Sequence, residues 1–542
     1  MAVLLYLDRN CLPFAAIYIK EDLHLTDVQL GWVISAFYLS YALGQVPAGW
    51  LTDRCGARLM LALYVFLWSV FMGLTGAAVG LASLLTFRLA MGLGQAGAYP
   101  AGANLISKWV PFSNRGFASS IVSFGGRLGG SLAPLLTGYL IVAFSPLSKP
   151  SLMGVDDILS KSQLRNRLVA ATATDDANAS PTVTPAAART AVLLRAVLPH
   201  DQSLLQIDDL SLRNAINEVI RRRDAFLIKD VKGLTLENEA VRLGKRRDAE
   251  LSQVEVERRN RLILEAAFPD AFRKLYGTGW RWIMFAYGAM GAVIALACWT
   301  ITRDRPVDHP RVNDAELDLI QQGRPPEASI TDAKARGGLP LGPLLASRSL
   351  WLSCISQCFT NIGWIFLVAW LPTYLERVHN TPIENRAWLV LIPFTIGWIG
   401  MLLGGRLTDR LVRLLGLRWG RALPMGLTRF LAMAAYLVCL GDVPMWIAVA
   451  AFSVVAFATD LGTAAVWAFC QDVGGPHVGS VLGWGNMWGN LGAFVTPPVL
   501  IWIVGDGFLW DRAFLACAAA FFLAGVTALG IDATIPIGKQ TR

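Results

Sequence analysis

The sequence predicts an all-α integral membrane protein, with twelve transmembrane helices in two pseudo-symmetric six-helix bundles. Three observations carry that expectation. The 542 residues are 54% hydrophobic and only 16% charged, where a soluble domain carries roughly 25% charged residues. Apolar stretches of about 20 residues recur, each long enough to cross a hydrocarbon core of about 30 Å. A charged motif also appears twice, as Gly49-Trp50-Leu51-Thr52-Asp53-Arg54 and as Gly405-Arg406-Leu407-Thr408-Asp409-Arg410, each after the second span of its half. Repeated halves of this kind are a signature of carriers.

The first six spans fall at about 2–19, 29–50, 59–79, 82–106, 116–143 and 281–301, and the second six at about 350–374, 386–405, 423–440, 445–469, 478–504 and 513–532. Several are longer than a bilayer needs, which predicts tilt or extension beyond it. The chain thus divides into an N-terminal bundle of helices 1–5 (1–144), an insertion (145–279), helix 6 (280–301), a connector (302–347) and a C-terminal bundle of helices 7–12 (348–542). The 50 Gly and 19 Trp suit this class, because Gly lets helices approach closely and Trp anchors their ends.

Orientation follows from Lys and Arg near the span ends. With the N-terminus cytoplasmic, that side collects eighteen of them and the opposite side four, the insertion excluded. Both termini are therefore expected inside a cell (inner) membrane. The insertion holds 21 of the 48 Lys and Arg and no Cys, and it falls on the outer face; long loops translocate largely regardless of charge. Ala170–Arg189 reads as a flexible linker and Leu234–Leu275 as one or two charged amphipathic helices. The insertion is either a spacer or a docking or sensing domain.

Composition excludes other classes. The net charge of +9 sits in short loops and the insertion, with no basic stripe of interleaved aromatics for nucleic acid. Cys354 and Cys358, four apart on one helix, read as packing rather than a metal site. The Gly-rich runs at 125–130 and 483–492 lack the Lys-Ser/Thr of a phosphate loop and lie inside spans. No Ser-His-Asp, metal or Walker constellation is present, so no enzyme and no cofactor are expected. Asp8 and Arg9 interrupt the first apolar run, so it does not read as a cleavable signal peptide, and its lack of a basic lead leaves room for residues upstream of Met1.

The loop Gly49–Arg58 resembles the loop between helices 2 and 3 of the major facilitator superfamily. More narrowly, the chain resembles its anion:cation symporter family of organic-acid and sugar-acid carriers. That likeness is borne by Tyr6-Leu7-Asp8-Arg9, by Tyr41 to Pro47, by Phe87-Arg88 through Tyr99-Pro100, and by the connector Arg303-Asp304-Arg305-Pro306. Trp370 to Leu375 and Gly485-Asn486-Met487-Trp488-Gly489-Asn490 add to it. It covers nearly everything except 145–279.

Ionisable groups inside the hydrocarbon need a partner, a wet cavity or a function. Asp8, Arg9, Arg88 and Arg127 lie in spans 1, 4 and 5. Three Arg against one Asp favours an anionic cargo, since a guanidinium fork matches a carboxylate. Arg9 binds solute or pairs with Asp8. Arg88, whose position the resemblance gives to substrate binding, does so or snorkels. Arg127 binds solute or serves helix contact. Asp8 is the candidate for proton coupling; where close relatives carry a second carboxylate, this chain has Gln95, which cannot titrate. Tyr41 reaches a carboxylate or packs. Gln357, Asn361, Asn486 and Asn490 contact solute hydroxyls or join helices, and Asp460 is a second titrating group or a partner of Arg429.

The resulting expectation is an alternating-access carrier of a small carboxylated solute at the midplane. Proton symport is expected, with sodium as the other coupling ion to consider. The alternatives are organic-anion exchange, or a receptor signalling through the insertion. Gly49, Asp53, Arg54, Arg58, Asp409 and Arg410 are expected to form the cytoplasmic gate. A monomer in the bilayer is the expected state.

Overall fold

A computed structural model describes residues 1–144, 151–172, 184–197, 208–227, 238–268, 271–277, 279–321, 339–379, 383–504 and 509–537, with single positions between 230 and 236. Among these the fold is all-helical, apart from one isolated bridge between Ile158 and Phe272.

The first half consists of α1 (Ala2–Asp22), α2 (Asp27–Cys55), α3 (Ala57–Gly76), α4 (Leu81–Ala96, resuming as Ala98–Trp109), α5 (Arg115–Ala143) and α6 (Gly279–Ile301). The second contains α7 (Arg348–Arg377), then one continuous element, Ile383–Val438, whose arms α8 and α9 lie either side of Gly416. It closes with α10 (Met445–Gly474), α11 (Val478–Val504) and α12 (Trp510–Leu529). Among the described residues six stretches are long and apolar enough to cross a membrane by length and composition; two of them, Trp388–Val438 and Met445–Thr496, run to 51 and 52 residues, with a break inside each at Gly416 and Gly475.

Local chemistry explains the joints. Thr26 opens α2 with a capping box: its hydroxyl accepts from the Gln29 N–H at 3.2 Å, and the Gln29 amide oxygen accepts from the Thr26 N–H at 2.9 Å. Gly416 turns α8 into α9 at φ 77°, a left-handed conformation that glycine adopts without strain. The fourth predicted span is not continuous. It breaks at Gly97, where Pro100 crowds the Ala96 carbonyl and a Cβ on Gly97 would meet the Tyr64 ring at 2.0 Å. The eighth predicted span is longer than expected and carries Asp409 and Arg413 on helix.

Each half has its own core. Phe37, Trp68 and Tyr287 fill the first; Phe366, Tyr436 and Phe514 fill the second. Between α5 and α6 the chain forms five shorter helices among the described residues: Lys161–Thr172, Pro185–Val197, Asp209–Arg221, Asn238–Gly244 and Gln253–Ala267. The expectation of a flexible linker over 170–189 is corrected at both ends. Leu164 and Leu168 on one side, and Ala187, Ala191 and Leu194 on the other, enter a small core with Ile216 and Phe268; the linker's centre, 173–183, lies outside the described residues. Two helices are present where one or two were expected in Leu234–Leu275. This part also docks on α1: Leu262, Leu275 and Tyr276 join the first half's core, and Glu21 accepts from the Lys274 N–H at 3.0 Å. In the connector, 322–338, with Arg324, Lys334 and Arg336, lies outside the described residues, as do Lys539 and Arg542.

Candidate functional site

A cavity of about 220 Å³ lies between the two halves. The first half contributes Tyr6 and Arg9 from α1, Tyr41 from α2, and Ser123 and Arg127 from α5. The second contributes Gln357 and Asn361 from α7, Arg429 from α9, and Asn486 and Asn490 from α11. Six of the eight expected substrate residues therefore share one wall-to-wall space; Arg88 and Gln95 stand behind it.

Successive residues of a helix point about 100° apart, and this separates Asp8 from Arg9. Arg9 turns to the cavity, its guanidinium 4.3 Å from the Tyr41 ring centre, 4.9 Å from Tyr6 and 5.3 Å from Phe37. The aromatic faces hold the cation in place while leaving most of its N–H donors available. Its Nη2 donates to Gln95 Oε1 at 3.5 Å, and its buried Nε has no protein partner. Gln95 is tied in turn to the Leu5 carbonyl at 3.2 Å. Asp8 faces the bundle interior instead, accepting from Trp68 Nε1 at 3.0 Å, with its second oxygen buried and without a protein partner. Arg88 is fully buried, 4.8 Å from the Phe37 ring, and touches Met91 Sδ at 3.3 Å. Among the described residues neither arginine pairs directly with Asp8.

On the opposite wall Asp460 is the partner of Arg127, Nη2 to Oδ1 at 2.7 Å, rather than of Arg429. Arg429 instead donates to Thr360 Oγ1 at 2.7 Å and to the Thr459 carbonyl at 3.3 Å. The Arg127 guanidinium lies 4.0 Å from the Trp364 ring centre. Asn361 and Asn490 each spend one N–H on the carbonyl a turn earlier, at 3.1 and 2.7 Å, and keep the rest of their amide capacity.

At one end of the bundle the halves are latched. Asp53, at the end of α2, accepts from the Gly479 and Ser480 N–H groups at 2.9 and 2.8 Å, and from the Ser480 hydroxyl at 2.8 Å. It thereby caps α11 of the other half. Asp409, at the end of α8, does the same to α5, accepting from the Gly116 and Phe117 N–H groups at 3.0 and 2.9 Å. The exposed N–H groups and positive end of a helix favour a carboxylate there. Glycine lets the backbones meet: a Cβ on Gly49 would lie 2.2 Å from the Gly479 carbonyl oxygen, and one on Gly405 2.8 Å from that of Gly116.

A family model described as "Major Facilitator Superfamily" matches residues 1–149 and 274–497. The chain belongs to the major facilitator superfamily. Membership makes it a multi-pass membrane transporter and not an enzyme. Two relatives of this facilitator match it almost end to end. One, from Bacillus subtilis (strain 168), is named a probable galactarate/D-glucarate transporter, GudP; it is 24% identical, covering 99% of this chain and 91% of its own length. The other, from Cupriavidus necator, is named a probable sulfoacetate transporter, SauU, 23% identical over 99% of this chain and 93% of its own. The fold is similar to that of the Escherichia coli fucose:proton symporter FucP, at TM-score 0.55 and 13% identity, covering 97% and 96% of the two chains. These relatives agree with the resemblance to the anion:cation symporters.

Sequence reading anticipated only part of this facilitator's latch. Asp53, Asp409 and Gly49 are in it. Arg54 lies 5.4 Å from the Trp50 ring of its own helix, and Arg58 bonds within its own half, to the Asp304 carboxylate and the Trp299 carbonyl, both at 3.0 Å. Arg410 is exposed at the end of α8. The sequence reading missed Asp472, which accepts from Arg115 across the halves at 3.1 Å and from Arg421 at 2.8 Å. A signal existed: Arg115-Gly116-Phe117 and Val478-Gly479-Ser480 place glycine second in a helix at matching points of the repeat.

Proposed function

We propose that this facilitator is a secondary transporter of a small organic anion, a sugar acid or similar carboxylate, working by alternating access. The observation that carries the reading is Arg9, a cation presented to the cavity on aromatic faces and, among the described residues, lacking a carboxylate partner. A buried cation without a counter-charge is costly, so an arriving carboxylate gains what the empty cavity lacks. The amides of Asn361, Asn486 and Asn490 then meet its hydroxyls. The relatives named for galactarate, D-glucarate and sulfoacetate, all small organic anions, support the same cargo class.

The asymmetry of Lys and Arg supports a cytoplasmic Asp53 end and an outer insertion in this reading. The latched state is then closed inside, and reopening requires Asp53 and Asp409 to leave their helix ends. Asp8 is the proton carrier in this reading. Exchange without a proton is the second reading, and Gln95 favours it, because that amide occupies the place of a second titrating group beside Arg9.

Uptake of labelled galactarate, galactonate and sulfoacetate into proteoliposomes tests both. The expected result is accumulation driven by an inward proton gradient, abolished in Arg9→Ala. Accumulation that ignores the gradient yet requires internal anion establishes exchange. No uptake of any of these anions removes the organic-anion reading.

A further inference from the structure

Of the cross-half hydrogen bonds and ion pairs described above, all but one sit at the Asp53 end. The exception is Arg127–Asp460, which joins α5 to α10 at 2.7 Å. Arg127 lies twelve residues into α5, about 18 Å along its axis, so the pair spans the halves at the depth of the cavity. Its two members are unequally placed. The Arg127 side chain is 25% exposed and lines the cavity, whereas that of Asp460 is 1% exposed. Among the described residues Arg127 uses one N–H on the protein, leaving the rest of its fork available.

The charges around the cavity do not cancel. Behind the wall, Asp8 and Arg88 lie within electrostatic reach of one another. On the wall stand Arg9, Arg127 and Arg429; behind Arg127 lies Asp460, the single carboxylate there among the described residues, with Arg429 within reach of it. With Asp8 ionised, one positive charge is left at Arg9, and a second at the Arg127–Asp460–Arg429 cluster. A monoanion answers only one of them.

Building on the organic-anion reading above, we propose that the cargo is a dianion with an anionic group at each end. One group docks on Arg9. The other takes the fork of Arg127, and Asp460 turns from Arg127 to Arg429. The Arg127–Asp460 pair is then a strut of the empty carrier that the cargo's second charge replaces, which makes Arg127 the residue that selects diacids over monoacids.

Galactarate and galactonate test this, because they share their hydroxyl configuration and differ in one terminal carboxylate. Binding of each to the purified full-length protein is measured by calorimetry. Wild type is expected to prefer galactarate by about tenfold or more, the worth of one charge-assisted pair. Arg127→Gln is expected to erase that preference, and Arg127→Lys, which keeps the charge without the fork, to reduce it. Asp460→Asn frees Arg127 and is expected to strengthen galactarate binding several-fold, which loss of a merely structural pair would not do. Equal weakening of both ligands by Arg127→Gln, or weaker galactarate binding in Asp460→Asn, overturns the proposal. Galactonate bound as tightly as galactarate by wild type also overturns it and leaves the organic-anion reading standing; binding of neither sinks both.

Discussion

At Arg9 the cavity's chemistry turns on a single neighbour. Gln95 accepts one weak hydrogen bond from the guanidinium and leaves its charge intact. Glutamate in that place would supply a counter-charge next to Arg9 and compete with cargo. Gln95→Glu is expected to lower organic-anion uptake several-fold at pH 8 and to restore it as the pH falls, giving a steep profile where wild type is flatter. Proteoliposome uptake between pH 5 and 8 measures this, and parallel profiles would show that Gln95 does not face Arg9 in the working state. Residues of this kind were legible because polarity in an apolar span is costly and therefore conspicuous: Arg9, Arg127, Asn361, Asn486 and Asn490 all line the cavity. What stayed hidden was pairing. Nothing local joins Arg127 to Asp460 across 333 positions, and the nearer Arg429 was as good a partner on paper. The hydroxyls of Ser123, Thr360 and Thr459 were silent too, since a helical Ser or Thr can bond its own backbone, as Thr360 does to Ser356, and so carries no signal by itself.

At the scale of elements, the insertion is where sequence and structure differ most. Its alanine-rich helices present few large apolar residues, so a 3.6-residue period is faint in Pro185–Val197, and only tertiary packing against Ile216 and Phe268 reveals it. Where it meets α1, the Glu265 carboxyl accepts from Arg261 and from the Leu275 N–H, the latter at 2.8 Å. Burial pushes Glu265 up to about 7 from 4.5, against the opposing pull of Arg261. A carboxyl that holds its proton more tightly when folded stabilises the docked form fully below about pH 4.5, and that contribution is lost as pH rises to about 7. The Gln253–Ala267 helix is therefore expected to exchange its amide hydrogens more readily at pH 8 than at pH 5, after correction for intrinsic rates. Glu265→Gln should remove most of that difference. A variant that keeps the full pH dependence would place the titrating group elsewhere.

For the whole molecule, the closed end is held by two equivalent latches, Asp53 on α11 and Asp409 on α5, by the Arg115–Asp472 pair, and by an apolar seal to which both halves contribute, including Val46, Tyr99, Trp467 and Cys470. Replacing either carboxylate by Asn keeps an acceptor and removes the charge, which costs about 1–2 kcal/mol, roughly tenfold in the closed-to-open ratio. Asp53→Asn and Asp409→Asn are each expected to speed labelling of buried Cys470 by a small maleimide, and the double variant to do so beyond either alone; exposed Cys55 serves as the reference. Unchanged labelling in the double variant would show that the Arg115–Asp472 pair and the seal, rather than these two carboxylates, hold the end shut. The docking of the insertion on α1 has a practical corollary for imaging. Transporters of this fold offer an electron microscope little beyond the detergent belt to align on. Here Glu21 and the core shared by α1, Leu275 and Tyr276 tie a folded body to one half. That body is a built-in fiducial, and the angle between it and the second half would report any rocking of the halves against each other.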